Sequence, residues 1–232
     1  MEIFEIENDC LVKCNITNEI AHVVSKNIKK VGPKAFSSCH QLERLYLPWY
    51  VEEVPESNFI DIQGPFAEPL QAPGFTIFGE KGTEAERVAL QAKVNFLECK
   101  EIIKGNKYCC YLGKEDKVDI PNNIDYIGMA AFSNTPYVKE IVLPKSLKII
   151  DKHAFACTKI AKIVIPASVN ALDSYIFENC KNLTEVVFEN GETKLDNCCF
   201  KGCPDMLVIK APAGGYVEDY AKKYNIKFEA KE

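Results

Sequence analysis

Apolar and polar positions along this chain fall into recurring blocks. In residues 127–166 an apolar residue, a Gly or Asp, two free positions and Ala-Phe occur at Ile127-Gly128…Ala131-Phe132 and again at Ile150-Asp151…Ala154-Phe155. Aligned on the Phe, six copies appear, at Phe36, Phe59, Phe132, Phe155, Phe177 and Phe200, spaced by 23 residues and then by 23, 22 and 23. Five residues before each Phe stands Val31, Val54, Ile127, Ile150, Leu172 or Leu195, followed by Gly, Pro or Asp. A fixed period of this length is the mark of a solenoid, in which each unit buries its apolar face against its neighbours. The runs LYLP, IVLP and IVIP, and VVF at 186–188, are short, rich in β-branched residues and stopped by Pro or Gly. They predict one strand per repeat. Gly or Asp four residues before the Phe suits the opening of a short helical turn. Strands that return in the same direction every ~23 residues must pair in parallel, ~4.8 Å apart. The pattern predicts an α/β solenoid with a parallel sheet of one strand per repeat and the Phe side chains in the slot between that sheet and the opposite wall.

A different period appears twice. Residues 76–96 and 207–228 each read as an apolar strand, a Gly (Gly82 or Gly214), a helix and a closing Phe. The inward helix positions are Ala85, Val88, Ala89 and Ala92 in one, and Val217, Tyr220, Ala221 and Tyr224 in the other, at helical spacing. These predict strand–helix caps. The stretch 4–15 also resembles that around 100–112, so the chain reads as an internal duplication. Its first unit spans 1–98 with two Phe repeats and its second spans 99–232 with four.

The repeats resemble the BspA-like leucine-rich repeats, whose unit runs roughly apolar-x-Ile-Pro-x-x-Val-x-x-Ile-Gly-x-x-Ala-Phe-x-x-Cys-x-x-Leu. The strand signature is carried by Leu42-x-x-Leu45-x-Leu47-Pro48, Ile160-x-x-Ile163-x-Ile165-Pro166 and Leu183-x-x-Val186-x-Phe188. Cys39, Thr135, Cys157, Cys180 and Cys203 fill its Cys position. The resemblance implies a right-handed leucine-rich-repeat superhelix with the parallel sheet on its concave face and short helical turns on its outer wall, and a surface-exposed role in interaction or adhesion.

Composition narrows the function. A net charge of −5 and a pI near 5.4 argue against nucleic acid, whose binders carry a basic stripe. No apolar run reaches the ~18–20 residues of a membrane span. The acidic start MEIFEIENDC lacks the basic region of an export signal, and the 11 Cys are odd in number and dispersed. Both features predict a cytoplasmic setting with free thiols. Cys198, Cys199 and Cys203 form the densest thiol cluster, but the repeat accounts for Cys199 and Cys203 as small interior residues, and a zinc site needs a second ligand pair. The histidines, His22, His40 and His153, are scattered, and no nucleophile elbow, zincin or phosphate-loop motif occurs. No enzyme activity and no cofactor are expected.

Partner binding is the remaining class. Strand positions alternating with the buried ones face solvent. They predict an apolar ladder of Val142, Val164 and Val187 beside a row of alternating charge, Glu140, Lys162 and Glu185. Cross-strand support explains both rows, and so does a partner surface with an apolar centre and charged rim. Trp49-Tyr50 replaces small or polar residues found at the same turn elsewhere, and the irregular stretch 60–74 follows, with Phe66 and Leu70 among three prolines. Either Phe66 or Leu70 covers Trp49 and Tyr50, or Tyr46, Trp49 and Tyr50 form an aromatic patch of the kind enriched at hot spots. The expected activity is protein–protein interaction. The alternative is glycan binding, with Trp49 and Tyr50 stacking on sugar rings.

Overall fold

The structure, a computed structural model, describes residues 4–14, 20–22, 28–61, 68–69, 71 and 74–231. The chain separates into two compact units, Met1–Lys100 and Glu101–Glu232, each with its own hydrophobic core.

In the first unit the elements are β1 (Phe4–Glu7), β2 (Cys10–Cys14), β3 (Ile20–His22), β4 (Lys30–Val31), β5 (Arg44–Tyr46), β6 (Ile60–Asp61), β7 (Glu68–Pro69), β8 (Thr76–Gly79), α1 (Glu84–Ala92) and β9 (Asn95–Glu98). An antiparallel pair, β1–β2, leads into β4, which runs parallel to β2. The strands β3, β5, β8 and β9 form a parallel sheet in that order. Phe36 and Phe59 are fully buried and stack at 6.0 Å, with Phe75 a further 5.5 Å along.

The second unit contains β10 (Glu101–Lys104), β11 (Lys107–Tyr111), β12 (Lys117–Asp119), β13 (Tyr126–Ile127), β14 (Glu140–Val142), β15 (Ile149–Ile150), β16 (Lys162–Ile165), β17 (Ala171–Leu172), β18 (Glu185–Phe188), β19 (Lys194–Leu195), β20 (Val208–Ala211), α2 (Tyr216–Lys223) and β21 (Lys227–Ala230). Its coils stack in parallel. The longer strands β12, β14, β16, β18, β20 and β21 line one wall, and the two-residue strands β13, β15, β17 and β19 line a second. The Phe side chains fill the space behind them: Tyr108, Phe132, Phe155, Phe177 and Phe200 stack at 5.0, 5.8, 5.5 and 5.3 Å. Each unit is a β-solenoid of stacked parallel coils.

Two sequence expectations change. In the second unit each Phe coil holds two strands where one was expected. The apolar residue five before the Phe, such as Ile127 or Ile150, lies in the second, whose two residues are too short to show alternation. The Phe segment was expected to be a helical turn; before Phe59 it is one, a 3-10 turn over Glu56–Asn58, but in the other coils it is a chain of hydrogen-bonded turns. Ala130, His153 and Tyr175 sit at φ near +54 to +61°, and Asn134, Cys157 and Asn179 at +57 to +59°. A left-handed residue breaks the α-helical path, and two in each of the Phe132, Phe155 and Phe177 coils turn the backbone so that it bonds the next coil instead. Examples are Phe132 N–H to Ala154 O at 2.8 Å and Phe177 N–H to Cys199 O at 3.0 Å.

Asn58 performs this bridging by its side chain in the first unit. It stands before Phe59 where the other coils carry Ala, Ile or Cys, and it is fully buried. Its Oδ1 accepts from Phe36 N–H at 3.1 Å, and its Nδ2 donates to Gly32 O at 3.1 Å and Pro55 O at 2.8 Å.

Both α-helices are short and lie between parallel strands, β8 and β9 or β20 and β21. Ala85, Val88, Ala89 and Ala92 of α1 are buried, as are Val217, Tyr220 and Ala221 of α2, while Tyr224 is half-buried. The same device starts each helix. Gly82 and Gly214 adopt φ of +75° and +85°, and each donates its N–H to a glutamate in the first helical turn, Glu86 or Glu218, at 2.8 Å. The carboxylate satisfies an otherwise free amide near the positive end of the helix dipole.

Candidate functional site

The second unit's long-strand wall is interrupted once. In four coils the Phe is followed nine residues later by the first inward apolar residue of the strand: Phe36–Leu45, Phe132–Ile141, Phe177–Val186 and Phe200–Ile209. From Phe155 to Ile163 the count is eight. Elsewhere a turn closes in this leg, with Leu42 N–H donating to Cys39 O at 3.0 Å, Val138 to Thr135 at 3.3 Å and Leu183 to Cys180 at 3.1 Å. Among the described residues no equivalent turn closes over 157–160.

The shortened leg coincides with a break in both ladders. Strand β12 pairs with β14 and β16 with β18, but β14 and β16 belong to separate sheets, as do β15 and β17. The turn wall remains continuous across the break, through Phe132 N–H to Ala154 O at 2.8 Å and Asn134 N–H to Ala156 O at 3.0 Å. At the other end of the strands Ser168 Oγ donates toward Lys145 O at 2.9 Å and Leu147 O at 2.5 Å. The coils are held together at both ends of the seam and unpaired along its middle.

A cleft of about 480 Å³ lies on this seam. Val142 and Val164, 42% and 41% exposed, line it together with Leu143 and Pro166, and Glu140 and Lys162 flank it. Four residues expected from the sequence to meet a partner are therefore brought together here.

The charged row changes at the same place. Glu140 pairs with Lys117 at 2.8 Å, on the β12 side. Lys162 pairs with Glu185 at 2.5 Å, and Glu185 in turn meets Lys210 at 2.9 Å; Lys210 continues to Glu229 at 3.3 Å and Glu229 to Lys227 at 2.7 Å. Hydrogen bonds from Lys162 and then Lys210 hold the Glu185 carboxyl below its ordinary pKa, against a smaller opposing effect of burial.

Two expected solvent-facing positions are closed. Val187 is only 8% exposed. Its register partner is Lys210, whose ammonium reaches Glu185 and Glu229, so the lysine stem runs over the strand face beside it. Tyr46 is likewise 8% exposed, its ring 4.7 Å from that of its register partner Phe78. Trp49 and Tyr50 are half-buried and meet edge to face at 5.7 Å and 87°. The aromatic patch is thus narrower than the sequence suggested, because Tyr46 belongs to a stack. Phe66, and with it the question of what covers Trp49, lies outside the described residues.

The thiols follow the repeat with one correction. Cys39, Cys180 and Cys203 point their sulfurs at the carbonyl oxygens of Cys14, Phe155 and Phe177, at 3.3, 3.1 and 3.1 Å. Burial raises the Cys180 thiol pKa, pushes Cys203 up to about 12 and drives fully buried Cys199 well above the ordinary range. Cys157 was expected at this interior position but is exposed. Thr158, three residues after Phe155, is buried there instead and meets Cys180 Sγ at 3.4 Å. Among the described residues no group of three His, Cys, Asp or Glu is arranged to hold a metal ion. No helix among them is long and apolar enough to cross a membrane.

A second cleft, of about 440 Å³, lies between the turns at 197–205 and the end of α2. Phe200, Tyr220 and Tyr224 line it together with Asn197, Lys201 and Asp205. Tyr224 donates its hydroxyl to Asn197 Oδ1 at 2.5 Å.

These coils place the chain in a known class of repeat protein. The model of the BspA type leucine-rich repeat region matches residues 2–64 and 103–228 in six copies, and the chain belongs to that family. Among solved structures it is similar to the pneumococcal vaccine antigen PcpA, at 11% identity and TM-score 0.43, covering 92% of this chain and 68% of that one. A leucine-rich-repeat protein of T. pallidum aligns at 18% identity and TM-score 0.36, covering 98% and 95%. A leucine-rich cell surface protein of Faecalibacterium prausnitzii aligns at 16% identity and TM-score 0.36, covering 90% and 68%. No curated protein matches the chain.

Proposed function

We propose that this protein is a non-catalytic interaction module that binds protein partners on the long-strand wall of its second unit, the concave side of a leucine-rich-repeat superhelix. One observation carries the reading: the exposed Val142 and Val164 meet in a cleft where two neighbouring strands do not pair. An apolar centre inside a charged rim is the composition of a partner-binding surface. The strand–helix elements β8–α1–β9 and β20–α2–β21 act as caps, the duplicated units end on them, and the free thiols suit a reducing, cytoplasmic compartment. Val142→Asp with Val164→Asp should abolish capture of a cross-linked protein partner from native lysate while leaving the far-UV CD spectrum unchanged. Capture at wild-type yield would refute this assignment of the surface.

A second reading, glycan recognition, rests on the aromatic-lined cleft around Tyr224 and on the half-buried Trp49–Tyr50 pair. Sugars are held by aromatic faces together with planar polar side chains, and Asn197 and Asp205 stand beside those rings. A glycan array with Trp49→Ala and Tyr224→Ala distinguishes the two sites. Silence on the array with wild-type protein removes this reading.

A further inference from the structure

The long-strand wall of the second unit ends on β21, and its ladder bonds show which groups face outward. Strand β21 runs parallel to β20, with Val208 opposite Lys227 and Ala211 opposite Ala230, and Lys231 N–H donates to Ala211 O at 2.8 Å. Alternate residues make the bonds of a parallel ladder, so Lys227 and Glu229 bond β20 while Phe228 and Ala230 direct N–H and C=O away from it. Strand β21 is last in its sheet, and among the described residues no hydrogen bond engages the backbone of Phe228 or Ala230. Ile226 N–H is taken by Ala221 O at 2.9 Å, which leaves its carbonyl on the same edge. The side chains of Ile226 and Phe228 pack against the core here and stay half-buried. A free strand edge of this kind is a template for pairing with another chain.

Charge selects the occupant. Antiparallel pairing of β21 with β21 of a second copy, centred on Phe228, sets Lys227 opposite the partner's Glu229 and Glu229 opposite the partner's Lys227. These are non-hydrogen-bonded positions, where side chains approach most closely, at about 4.5 Å between Cα atoms. Phe228 then exchanges both backbone bonds with the partner's Phe228, and Ala230 N–H reaches the partner's Ile226 O. Centring the pair on Glu229 instead opposes Glu229 to itself and Lys227 to the partner's Lys231, and centring it on Lys227 opposes two lysines. Head-to-tail stacking on β12 of the next copy, which builds an open filament, is opposed as well. Continuing the parallel register of the wall puts Lys227 beside Lys117 and Glu229 beside Asp119. The equivalent strand of the first unit, β9, has Asn95 and Leu97 at the matching positions, so the same pairing gains no charge match there.

We infer that the free edge of β21 is a homodimer interface, in which two copies join their long-strand walls through an antiparallel β21–β21 pair about a two-fold axis at Phe228. The backbone groups of Phe228 and Ala230 and contact among the Ile226, Phe228 and Ala230 side chains hold the pair. Exposed ion pairs add little affinity, so Lys227 and Glu229 chiefly fix the register. An isologous pair closes on itself and uses both edges, so association stops at two copies. One short strand gives an interface at the small end for protein contacts, which makes the dimer weak and concentration-dependent. The pairing does not depend on what the cleft at Val142 and Val164 binds.

The test is sedimentation velocity of the full chain at low salt. Between about 5 and 500 μM the mass should rise from 26.1 kDa toward twice that value. Ala230→Pro removes an outward donor and no bond to β20, and should weaken dimerisation about tenfold or more. Lys227→Glu and Glu229→Lys each set like charges opposite one another and should each weaken it. An equimolar mixture of those two variants should regain association as a heterodimer, since each edge then meets its opposite, and the difference should fade as salt rises. Monomer mass at every concentration, a dimer indifferent to Ala230→Pro, or a mixture no more associated than its parts each overturns the proposal. A mass that climbs past two copies overturns it too, because it reports an open stack. Far-UV CD checks that Ala230→Pro is folded, and the two charge variants, at exposed side chains, decide the register without it.

Discussion

Phe155→Ala tests the solenoid at its weakest joint. The ring is fully buried and lies between Phe132 at 5.8 Å and Phe177 at 5.5 Å. Truncating a buried Phe costs about 3–5 kcal/mol through lost transfer energy and the cavity left behind. For a unit of this size that lowers the melting temperature by roughly 10–20 °C. Phe177→Ala, buried as completely and stacked on both sides, should cost a similar amount. The two variants should differ in cooperativity. Around Phe177 both strand walls are hydrogen-bonded, β16 to β18 and β17 to β19. At the seam beside Phe155 the ladders are missing, so the Phe stack, the turn-wall bonds and Ser168 carry the coupling between coils. In a solenoid, stability is close to a sum of coil terms and nearest-neighbour terms, and weakening one neighbour term uncouples what lies on either side. Urea unfolding followed by CD and by site-resolved hydrogen exchange should show Phe177→Ala melting in one step. Phe155→Ala should melt in two, with Val118 and Ile141 exchanging before Val186 and Ile209. A single coincident transition in Phe155→Ala would refute the claim that the seam is mechanically weak, and a loss below about 1 kcal/mol would refute the core placement.

Three further outcomes follow from particular contacts. Asn58→Ala removes the acceptor for the buried Phe36 N–H and should destabilise the first unit by about 1–3 kcal/mol in chemical denaturation, whereas a cost within error would deny Asn58 its bridging role. Glu185→Gln should cost about 0.5–1 kcal/mol near neutral pH, discounted for the exposed lysines around it. Because the folded pKa of Glu185 is depressed, its contribution is present above the unfolded carboxyl value and is lost as pH falls through the folded one; melting temperatures of wild type and variant should converge below about pH 4, and a gap that persists there would contradict the ion-pair assignment. Maleimide labelling of native protein at pH 7, read by mass spectrometry, should modify exposed Cys157 well before Cys180 or Cys199, and early loss of the Cys199 thiol would contradict its burial.

The repeat was readable because its signal is additive. Six Phe positions with an apolar residue five before each impose one register on most of the chain, and parallel stacking then follows from chain direction alone. Side-chain alternation within a strand was read correctly for Val142 and Val164. It failed for Val187 and Tyr46, because their exposure is set by cross-strand partners, Lys210 and Phe78, and not by strand position. The turn geometry was missed for a local reason. Left-handed φ falls on Ala130 and Tyr175, residues that do not favour it, so the surrounding coil imposes a conformation that propensity argues against.

The cleft itself lies in a spacing that could have been counted. Residues 155–163 are one short of the leg found in the other aligned coils, but alignment by residue type conceals this, since Cys157 matches the Cys of the repeat while standing one position early. The structure resolves the ambiguity by burial, with Thr158 inside and Cys157 outside. Once the deletion is placed there, the rest follows mechanically. A coil shortened between its Phe and its strand loses the closing turn, and strands on either side lose their ladder while the Phe wall, which precedes the deletion, keeps its bonds. A periodic fold of this kind gains its stability from the regular coils and has little chemistry to offer along them. One missing residue interrupts that regularity, leaving β14 and β16 without a ladder between them and Val142 and Val164 exposed beside the break.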